Sequence, residues 1–591
     1  MRFATATLLG MIPLCAGSPP EKITPENVAR LKVAWTYDTG ESPKVFAAKD
    51  SHFEPTPVYA DGKLYISTPG GLIIALDAET GREIWKQDLH VRRNWDFSEP
   101  TTRGVTLAGD TIFVGTADAR LVSIDRTTGK LRPGFGREGE VELISGLRQK
   151  PEYGGEYGVS SPPAVYKDLV IVGAFVADNS RAKMASGEVR AFDAKTGALR
   201  WTFHPLPADS PAGAANTWSR ITVDAANGLV FLPTGSPSPD YYGGLRPGDN
   251  RYGNSIVALK ADTGEVVWSF QTVHHDIWDY DVASPPLLFP GKNGPAVAVG
   301  SKTGHLFLFD RVTGKPLFPI NERAVAKSDT PGESASPTQP FPTLPPALVP
   351  QQVTENDLWG PTPKDLEACR EIFRSLRNEG IFTPPSVQGS LIVPGNIGGL
   401  HWGGVVFDPK TRLLIAPVNR LPAVIRLIPA EELKDARKAH PDRETSPQRG
   451  APYGMSRQFF VRNDTPCIAP PWGELVAVSP DTGKIEWRVP LGAFGPDAQH
   501  TVPGSPNLGG AAVTSTGLVF IGASVDAHIR AFETANGREI WKGDLPASAR
   551  ATPLIYTSAS GRQMVAIAAG GHEGISVKLD SKVVAFALSD K

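Results

Sequence analysis

One pattern recurs along the 591-residue chain and limits what it can fold into. An alternating apolar strand runs into an Asp-x-x-Thr-Gly type of turn, and a second strand follows with a tryptophan four residues after the glycine. LIIALDAETGREIW ends at Trp85, VRAFDAKTGALRW at Trp201, IVALKADTGEVVW at Trp268, LVAVSPDTGKIEW at Trp487 and IRAFETANGREIW at Trp541. Their glycines are Gly81, Gly197, Gly264, Gly483 and Gly537, and degenerate copies surround Asp125 with Gly129 and Asp310 with Gly314. The chemistry of one copy is that of a β-hairpin. Apolar residues at every second position suit a half-buried strand, the Asp or Thr side chain can bond turn amides, and glycine supplies positive φ. The second strand then carries the tryptophan into the protein.

Another strand pair precedes most copies, as in PTPVYADGKLYIST and AAVTSTGLVFIGAS. Each repeat therefore holds about four strands, the content of a propeller blade. Repeat glycines are about 50 to 70 residues apart, except across the long gap from Gly314 to Gly483. Within that gap GGVVFDPKTRLLIAPV supplies a strand pair without a tryptophan, and counting it as a further unit gives eight. The expectation is an all-β, eight-bladed β-propeller with tryptophan-docking repeats, forming one domain over residues 18–591. The rest of the gap departs from repetition. Residues 316–362 are Pro-rich and read as a surface excursion. Thr362 and Pro363 then open a helix with Asp365 in its first turn, Leu366, Cys369, Phe373 and Leu376 on one face, and Gly380 as its end. A second short helix is expected from Ala430 to His440. Both should pack outside or on the rim, away from any chemistry.

Charge and cysteine content narrow the function. With 60 basic and 62 acidic residues and no basic block, nothing builds a surface that tracks phosphates, so nucleic-acid binding is a poor reading. Cys15, Cys369 and Cys467 form no Cys-x-x-Cys-His haem attachment and no Cys-x-x-Cys pair. Cys369 and Cys467 could form one disulfide in an exported chain or stay as two buried thiols. Met1-Arg2, an apolar stretch from Phe3 to Cys15 and the small residues after it read as a signal peptide over 1–17, and hence a periplasmic or secreted protein. Lipidation of Cys15 fits less well, since Pro13 and Leu14 precede it. No other segment approaches the roughly 20 apolar residues of a membrane span.

Three constellations lie outside the repeat. His274 to Asp281, HHDIWDYD, places three acids and two histidines in one loop, where an acid could ligate a hard cation or take a proton from an alcohol; such acids can equally cap turns. Asp178-Asn179, after an apolar strand, offers paired oxygen donors for Ca²⁺ or Mg²⁺, or simply forms a turn. The run Gly395 to Gly404, with Asn396 and Trp402, lets backbone approach a flat ligand and does not match a phosphate-binding fingerprint.

QTVHHDIWDYD, SKTGHLFLFD, EGIFTPPSVQG, PGNIGGLHWGG and the pair ATPLIY and AAGGH together resemble the membrane-type quinoprotein glucose dehydrogenases, which also include quinate dehydrogenases. The resemblance spans about Ile23 to Ala587. It implies an eight-bladed propeller binding pyrroloquinoline quinone (PQQ) and Ca²⁺ or Mg²⁺. In its terms Asp279 is the catalytic base and also touches the metal, and Lys302 bonds the quinone oxygens. Trp218 stacks on the cofactor, and Glu54, Arg103 and Ser160 meet its polar edge. Asn396 and Trp402 line the pocket, and Asp178, Asn179 and Ser236 ligate the metal, Ser236 standing where relatives often have an amide. The implied reaction is oxidation of an aldose, glucose first, to its lactone, with electrons passing to an external acceptor, either ubiquinone or a separate cytochrome. The alternatives are a quinate or polyol dehydrogenase of the same family and a cofactor-free propeller scaffold. Two departures bear on substrate. Glu99, in Glu99-Pro100-Thr101-Thr102-Arg103-Gly104, stands where glucose-oxidising members carry histidine. The adjacent cysteine pair typical of methanol- and ethanol-oxidising branches is also missing.

Overall fold

The computed structural model describes residues 21–589, except residue 178, residues 496–500 and residues 572–577. The expected signal peptide and Asp178 lie outside the described residues. The chain is mostly β-structure folded as successive antiparallel meanders. The first sheet orders Val58–Ala60, Lys63–Ser67, Leu72–Asp77 and Glu83–Asp88 side by side. Similar sheets of three or four strands follow over 106–142, 164–203, 222–271, 287–310, 406–490 and 511–544. The last combines both ends of the chain: Leu554–Thr557, Gln563–Ala569 and Lys582–Leu588 are completed by Leu31–Asp38, paired from Leu31 opposite Leu588 to Asp38 opposite Lys582. From 106–108 onward, the first strands of successive sheets touch one another in turn. Tyr59 of the first sheet stacks on Tyr556 of the last at 5.0 Å, so the succession returns to its start. This is a β-propeller arrangement.

The repeat does what its chemistry suggests. Asp77 Oδ1 accepts from the amides of Glu79 and Thr80 and from the Thr80 hydroxyl, at 3.1, 2.9 and 2.8 Å, and Asp125, Asp193 and Asp310 repeat the arrangement. Gly81 has φ +72°, and a Cβ on it would lie 2.6 Å from the Trp35 ring. Glycine is required there both for the left-handed turn and for the approach of an indole. The tryptophan leaves its own sheet and covers the turn of the next. Trp85 lies on Gly129, Trp201 on Gly264, Trp268 on Gly314 and Trp487 on Gly537. The indoles of Trp35, Trp201, Trp268 and Trp487 donate to carbonyls of those turns, Ala78, Ala261, Arg311 and Thr534, at 3.0 to 3.3 Å. Where a sheet has no tryptophan the gap is filled otherwise, as Leu344 and Phe318 of the Pro-rich excursion do over Gly483.

Three expectations change. The strand pair in GGVVFDPKTRLLIAPV is not a unit of its own. Val406–Asp408 and Leu413–Asn419 form one sheet with Gly473–Val478 and Ile485–Pro490, the strands of the Trp487 copy. The joined chain ends make a further sheet, which the spacing between repeat glycines does not register. The chain leaves the Trp487 sheet after Asn419 and returns at Gly473. The strands built on the way, Ala423–Pro429, Glu444–Ser446 and Tyr453–Phe459, join the earlier Ser390–Ile392 in a separate sheet of order Ser390–Ile392, Ala423–Pro429, Tyr453–Phe459, Glu444–Ser446. Helix α1, Pro363–Ser375, is capped by Thr362 accepting from the Asp365 amide at 3.2 Å. It ends at Leu376, not Gly380, because Leu376 turns extended and Arg377 bridges to Ser390. Helix α2 is confined to Leu433–Ala439. Cys369 of α1 is disulfide-bonded to Cys467, both buried against Leu391, Val393 and Trp472.

Two outcomes test this packing. Trp201→Ala should cost about 3–5 kcal/mol of stability in denaturant unfolding, the cost of emptying a large buried aromatic site. Reduction of the Cys369–Cys467 bond should cost about 2–4 kcal/mol, with alkylation labelling both residues only after reductant.

Candidate active site

In a ring of meanders, the segments that lead into the first strand of each sheet meet at one end of the axis. Glu54, Arg103, Ser160, Trp218, Asp281, Trp402 and Arg550 all occupy such segments, each a few residues before Val58, Thr106, Ala164, Thr222, Leu287, Val406 and Leu554. Residues far apart in sequence therefore form one cluster, and Lys302 joins it from the turn after Gly294–Gly300.

Lys302 is the centre of one half. Its Nζ donates to Asp279 Oδ1 at 2.6 Å and lies 2.9 Å from Asp281 Oδ2. The other Asp279 oxygen accepts from Arg457 Nη1 and from the Tyr241 hydroxyl, each at 3.3 Å. Asp279 has φ +62°, an uncommon conformation for a residue with a Cβ, and the buried Asp276 holds the loop in it. The Asp276 carboxylate accepts from the amides of Trp278 and Tyr280, from Asn254 Nδ2 and from the Ser236 hydroxyl. Asp281 in turn accepts from the Ser236 amide at 2.7 Å and from the Trp218 indole at 3.1 Å. Burial, with the Asp281 carboxylate alongside, pushes Asp279 up to about 6 against the opposing pull of Lys302 and Arg457. Lys302 is held above its ordinary value by the two carboxylates, which outweigh its burial, so it stays a cation.

Arg103 is the centre of the other half. Its Nη2 lies 3.0 Å from the fully buried Glu54 and 3.4 Å from Glu99, and its Nη1 donates to Ser160 Oγ at 2.8 Å. The guanidinium lies between two indole faces, 5.3 Å from the Trp218 ring and 4.9 Å from the Trp402 ring. Arg550 stands 5.9 Å from the same Trp402 ring, with its Nε 3.3 Å from Glu54 Oε2 but out of line for a hydrogen bond. Arg103 Nε, Arg550 Nη1, Trp402 Nε1 and Thr217 Oγ1 are buried with no hydrogen-bond partner among the described residues. Buried donors without acceptors are costly in a finished protein. Two aromatic faces and surplus cationic donors suit a flat polyanion, and the three carboxylates of PQQ meet that demand.

The remaining expected residues divide. Gly398 and Gly399 lie against Lys302, with the Gly399 amide donating to the Lys302 carbonyl at 2.8 Å. Asn396, half-buried on the same run, makes no side-chain hydrogen bond among the described residues. Asn179 Nδ2 donates to Asp240 at 2.7 Å, and its Oδ1 is buried without a donor, as a cation ligand would be. Asp240 precedes Tyr241, which brings Asn179 toward Asp279. The Ser236 hydroxyl is already engaged by Asp276, Asp281 and Asn254. Among the described residues no group of three or more His, Cys, Asp or Glu side chains converges on a metal position.

Sequence reading passed over four participants. Asp276 and Asp281 stand in the quoted HHDIWDYD run and could have been found by asking which buried acids fix the loop. Arg550 has no local signal. Arg457 is the notable omission. It sits on Tyr453–Phe459 of the inserted sheet and is held there by Glu444 at 2.6 Å, so the insertion that also carries helix α2 supplies a cation to Asp279.

Known proteins resemble this chain over most of its length. The glucose/ethanol/alcohol dehydrogenase β-propeller domain family (PQQ) matches residues 18–565. The quinoprotein glucose dehydrogenase of Escherichia coli (strain K12) is 35% identical, covering 97% of this chain and 77% of that protein. The quinate/shikimate dehydrogenase (quinone) of Acinetobacter baylyi is 35% identical over 93% of this chain and 74% of that protein. The glycerol dehydrogenase large subunit of Gluconobacter oxydans is 36% identical over 97% and 83%. Among solved structures, the quinohemoprotein alcohol dehydrogenase of Comamonas testosteroni superimposes with a TM-score of 0.69 over 97% of this chain and 79% of that one, at 23% identity, a likeness of fold. The chain belongs to the PQQ-dependent quinoprotein dehydrogenases, a family of β-propeller enzymes.

Proposed function

We propose that this protein oxidises a CH–OH group of a sugar or polyol, an aldose such as glucose first, yielding the lactone. The observation that carries the reading is Asp279. It is a carboxylate buried among cations, with a proton affinity raised toward neutrality, beside a pocket whose unpaired donors suit a flat anion. When bound, PQQ supplies the electron-accepting carbonyl and a divalent cation the Lewis acid that polarises it. The rest is the work of this chain. Asp279 accepts the substrate hydroxyl proton at Oδ1 or Oδ2, Lys302 and Arg457 keep it ionised beforehand, and Asp281 shares the Lys302 charge. Trp218 and Trp402 would flank the cofactor, Arg103 and Arg550 would pair its carboxylates, and Asn179 with Asp178 and Asp279 would hold the cation. A scaffold has no use for so many buried charges.

Substrate choice rests on two residues. Glu99, half-exposed beside Arg103, is an acceptor for sugar hydroxyls. Arg457 favours the second reading, a quinate-type substrate, since a cation next to the base would also attract a carboxylate. The glucose, quinate/shikimate and glycerol enzymes among the relatives span the same range. We further propose eight blades, closed by the pairing of the chain ends and braced by the tryptophan docks. Export to the periplasm or beyond is supported by the Cys369–Cys467 disulfide. The electron acceptor is external, ubiquinone or a cytochrome.

The reading is tested by adding PQQ with Ca²⁺ or Mg²⁺ to purified protein and following dye reduction with glucose, other aldoses, polyols and quinate. Turnover with none of these would sink it. Asp279→Asn should keep PQQ binding and lose about 10²–10⁴-fold in turnover. Because the base works ionised, kcat/KM should rise with pH and level off, with an acid limb near about 6. Arg457→Met removes a charge that favours the carboxylate, so the limb should move to higher pH. An unmoved limb would show that Arg457 does not act on Asp279.

A further inference from the structure

The Pro-rich excursion over 316–362 grips the loop that carries Asp279. Its hairpin, Ile320–Ala324 paired with Thr338–Pro342, sets the fully buried Gln339 against His274. The His274 amide donates to Gln339 Oε1, and Gln339 Nε2 donates to the His274 carbonyl, both at 2.7 Å. In the connection between the two strands Glu333 turns inward, its side chain only 2% exposed. Glu333 Oε1 lies 3.2 Å from His275 Nε2 and accepts from the Ser334 amide at 2.8 Å, while Oε2 accepts from the Gly243 amide. A Cβ on Gly243 would collide with the His275 ring, so the three groups close on one another. Gly243 stands just after Tyr241, whose hydroxyl donates to Asp279. The Glu333 carboxylate thus ties together the two segments that meet at the base, one bringing Asp279 and the other Tyr241.

The partners of His275 fix its charge. Its Nδ1 is 2.7 Å from the Gly248 carbonyl oxygen, which can only accept. Its Nε2 faces Glu333, both of whose oxygens already accept amide hydrogens, as those of a carboxylate do. A neutral imidazole has one N–H and would turn a bare lone pair toward one of these acceptors, whereas an imidazolium serves both. His401, also buried, is the contrast. Its Nδ1 accepts from the Gly403 amide at 3.1 Å, so a single N–H, toward Asn507 Oδ1 at 3.2 Å, completes it. Burial works against the Glu333 carboxylate, but the His275 hydrogen bond and the Gly243 amide hold it below the ordinary carboxylate range. The other charged and titratable groups around the pair come from three elements. The field of the buried Arg246 reaches Glu333, and its guanidinium donates to the Pro239 and Asp276 carbonyls. Tyr242 borders Glu333 from the same segment. Asp276 follows in the loop with its carboxylate turned to Ser236 and Asn254, and Glu322 of the hairpin faces His274 at 3.1 Å.

We infer that His275 is an imidazolium and that its ion pair with Glu333 is a positioning element for the reaction, holding Asp279 against Tyr241 in the orientation that takes the substrate proton. The effect on turnover rests on the reading of Asp279 as the base; the charge of His275 does not. The test therefore has two arms. In the first, nitrogen NMR follows isotope-labelled histidine at neutral pH, with His275→Gln supplying the assignment. Both ring nitrogens of His275 should carry protons, and in Glu333→Gln Nε2 should lose its proton. A neutral His275 ring in the wild-type protein would overturn the inference whatever the kinetics show. In the second arm, dye reduction by enzyme loaded with PQQ and Ca²⁺ is followed against pH. Glu333→Gln should lower kcat about tenfold or more, the scale of a misplaced reacting group, and leave PQQ affinity unchanged. Taking away the counter-charge weakens the hold of the imidazolium on its proton, so the loss of activity on the alkaline side should come at lower pH, with the acid limb of Asp279 unmoved. The double variant His275→Gln with Glu333→Gln should lose no more than the worse single variant, because the two groups act as a unit. An unchanged kcat and alkaline side in Glu333→Gln, or losses that multiply in the double variant, would overturn the positioning role. Turnover with no substrate would sink the reading of Asp279 and that role with it, while the first arm still decides the charge. Should Glu333→Gln fold poorly, His275→Gln carries the kinetic arm, with the same loss of kcat expected.

Discussion

The pairing of Leu31–Asp38 with Lys582–Leu588 is the interaction on which the rest of the structure depends. A row of meanders has two free edges, and each is a line of unpaired backbone donors and acceptors. Joining the ends removes them and fixes the first strands around one axis. The segments before those strands then have only one place to meet. Trp35, carried by the joining strand, also covers the Gly81 turn, so the first and last sheets are tied by the same dock as the others. Glu54 and Arg550 come from the two sides of this junction, and their 3.3 Å approach exists only because the ring is closed.

Charge organises what the ring brings together. Lys302 bridges two carboxylates, Asp279 keeps a second cation on its free oxygen, and Arg103 shares Glu54 with Arg550. Buried pairs of this kind are poor sources of stability, since desolvation offsets most of the attraction. Their worth is in geometry: each carboxylate is held by directional donors at 2.6 to 3.3 Å and cannot turn away from the pocket. The surplus donors near Trp402 are the opposite case, groups that the protein alone leaves unpaired.

Much of this was legible in the residues. The Asp-x-x-Thr-Gly turns bond within a few residues of themselves, so local chemistry decides them, and each glycine has the φ its turn demands. The disulfide was open from sequence and formed in the fold, because α1 and the strand before Ile468 bury Cys369 and Cys467 side by side. The division into units was misread at one point. Leu413–Asn419 and Gly473–Val478 are adjacent in a sheet, yet an excursion of more than fifty residues separates them in the chain, and no local pattern announces that return.

The site divides along the same line. HHDIWDYD and the glycine-rich run around Trp402 carried enough local character to be singled out, whereas Lys302 in its SKTG turn and the role of Asp279 came only through the family resemblance. Arg457 and Arg550 came through neither, for each is an ordinary arginine in an ordinary strand or loop until an inserted sheet or a closed ring sets it against Asp279 or Glu54. The sequence by itself determined the hairpins, the turns and the residues able to do chemistry, since those depend on neighbours a few positions away. The tertiary structure decided which cations face which carboxylates and which donors are left over, since those depend on distances between segments hundreds of residues apart.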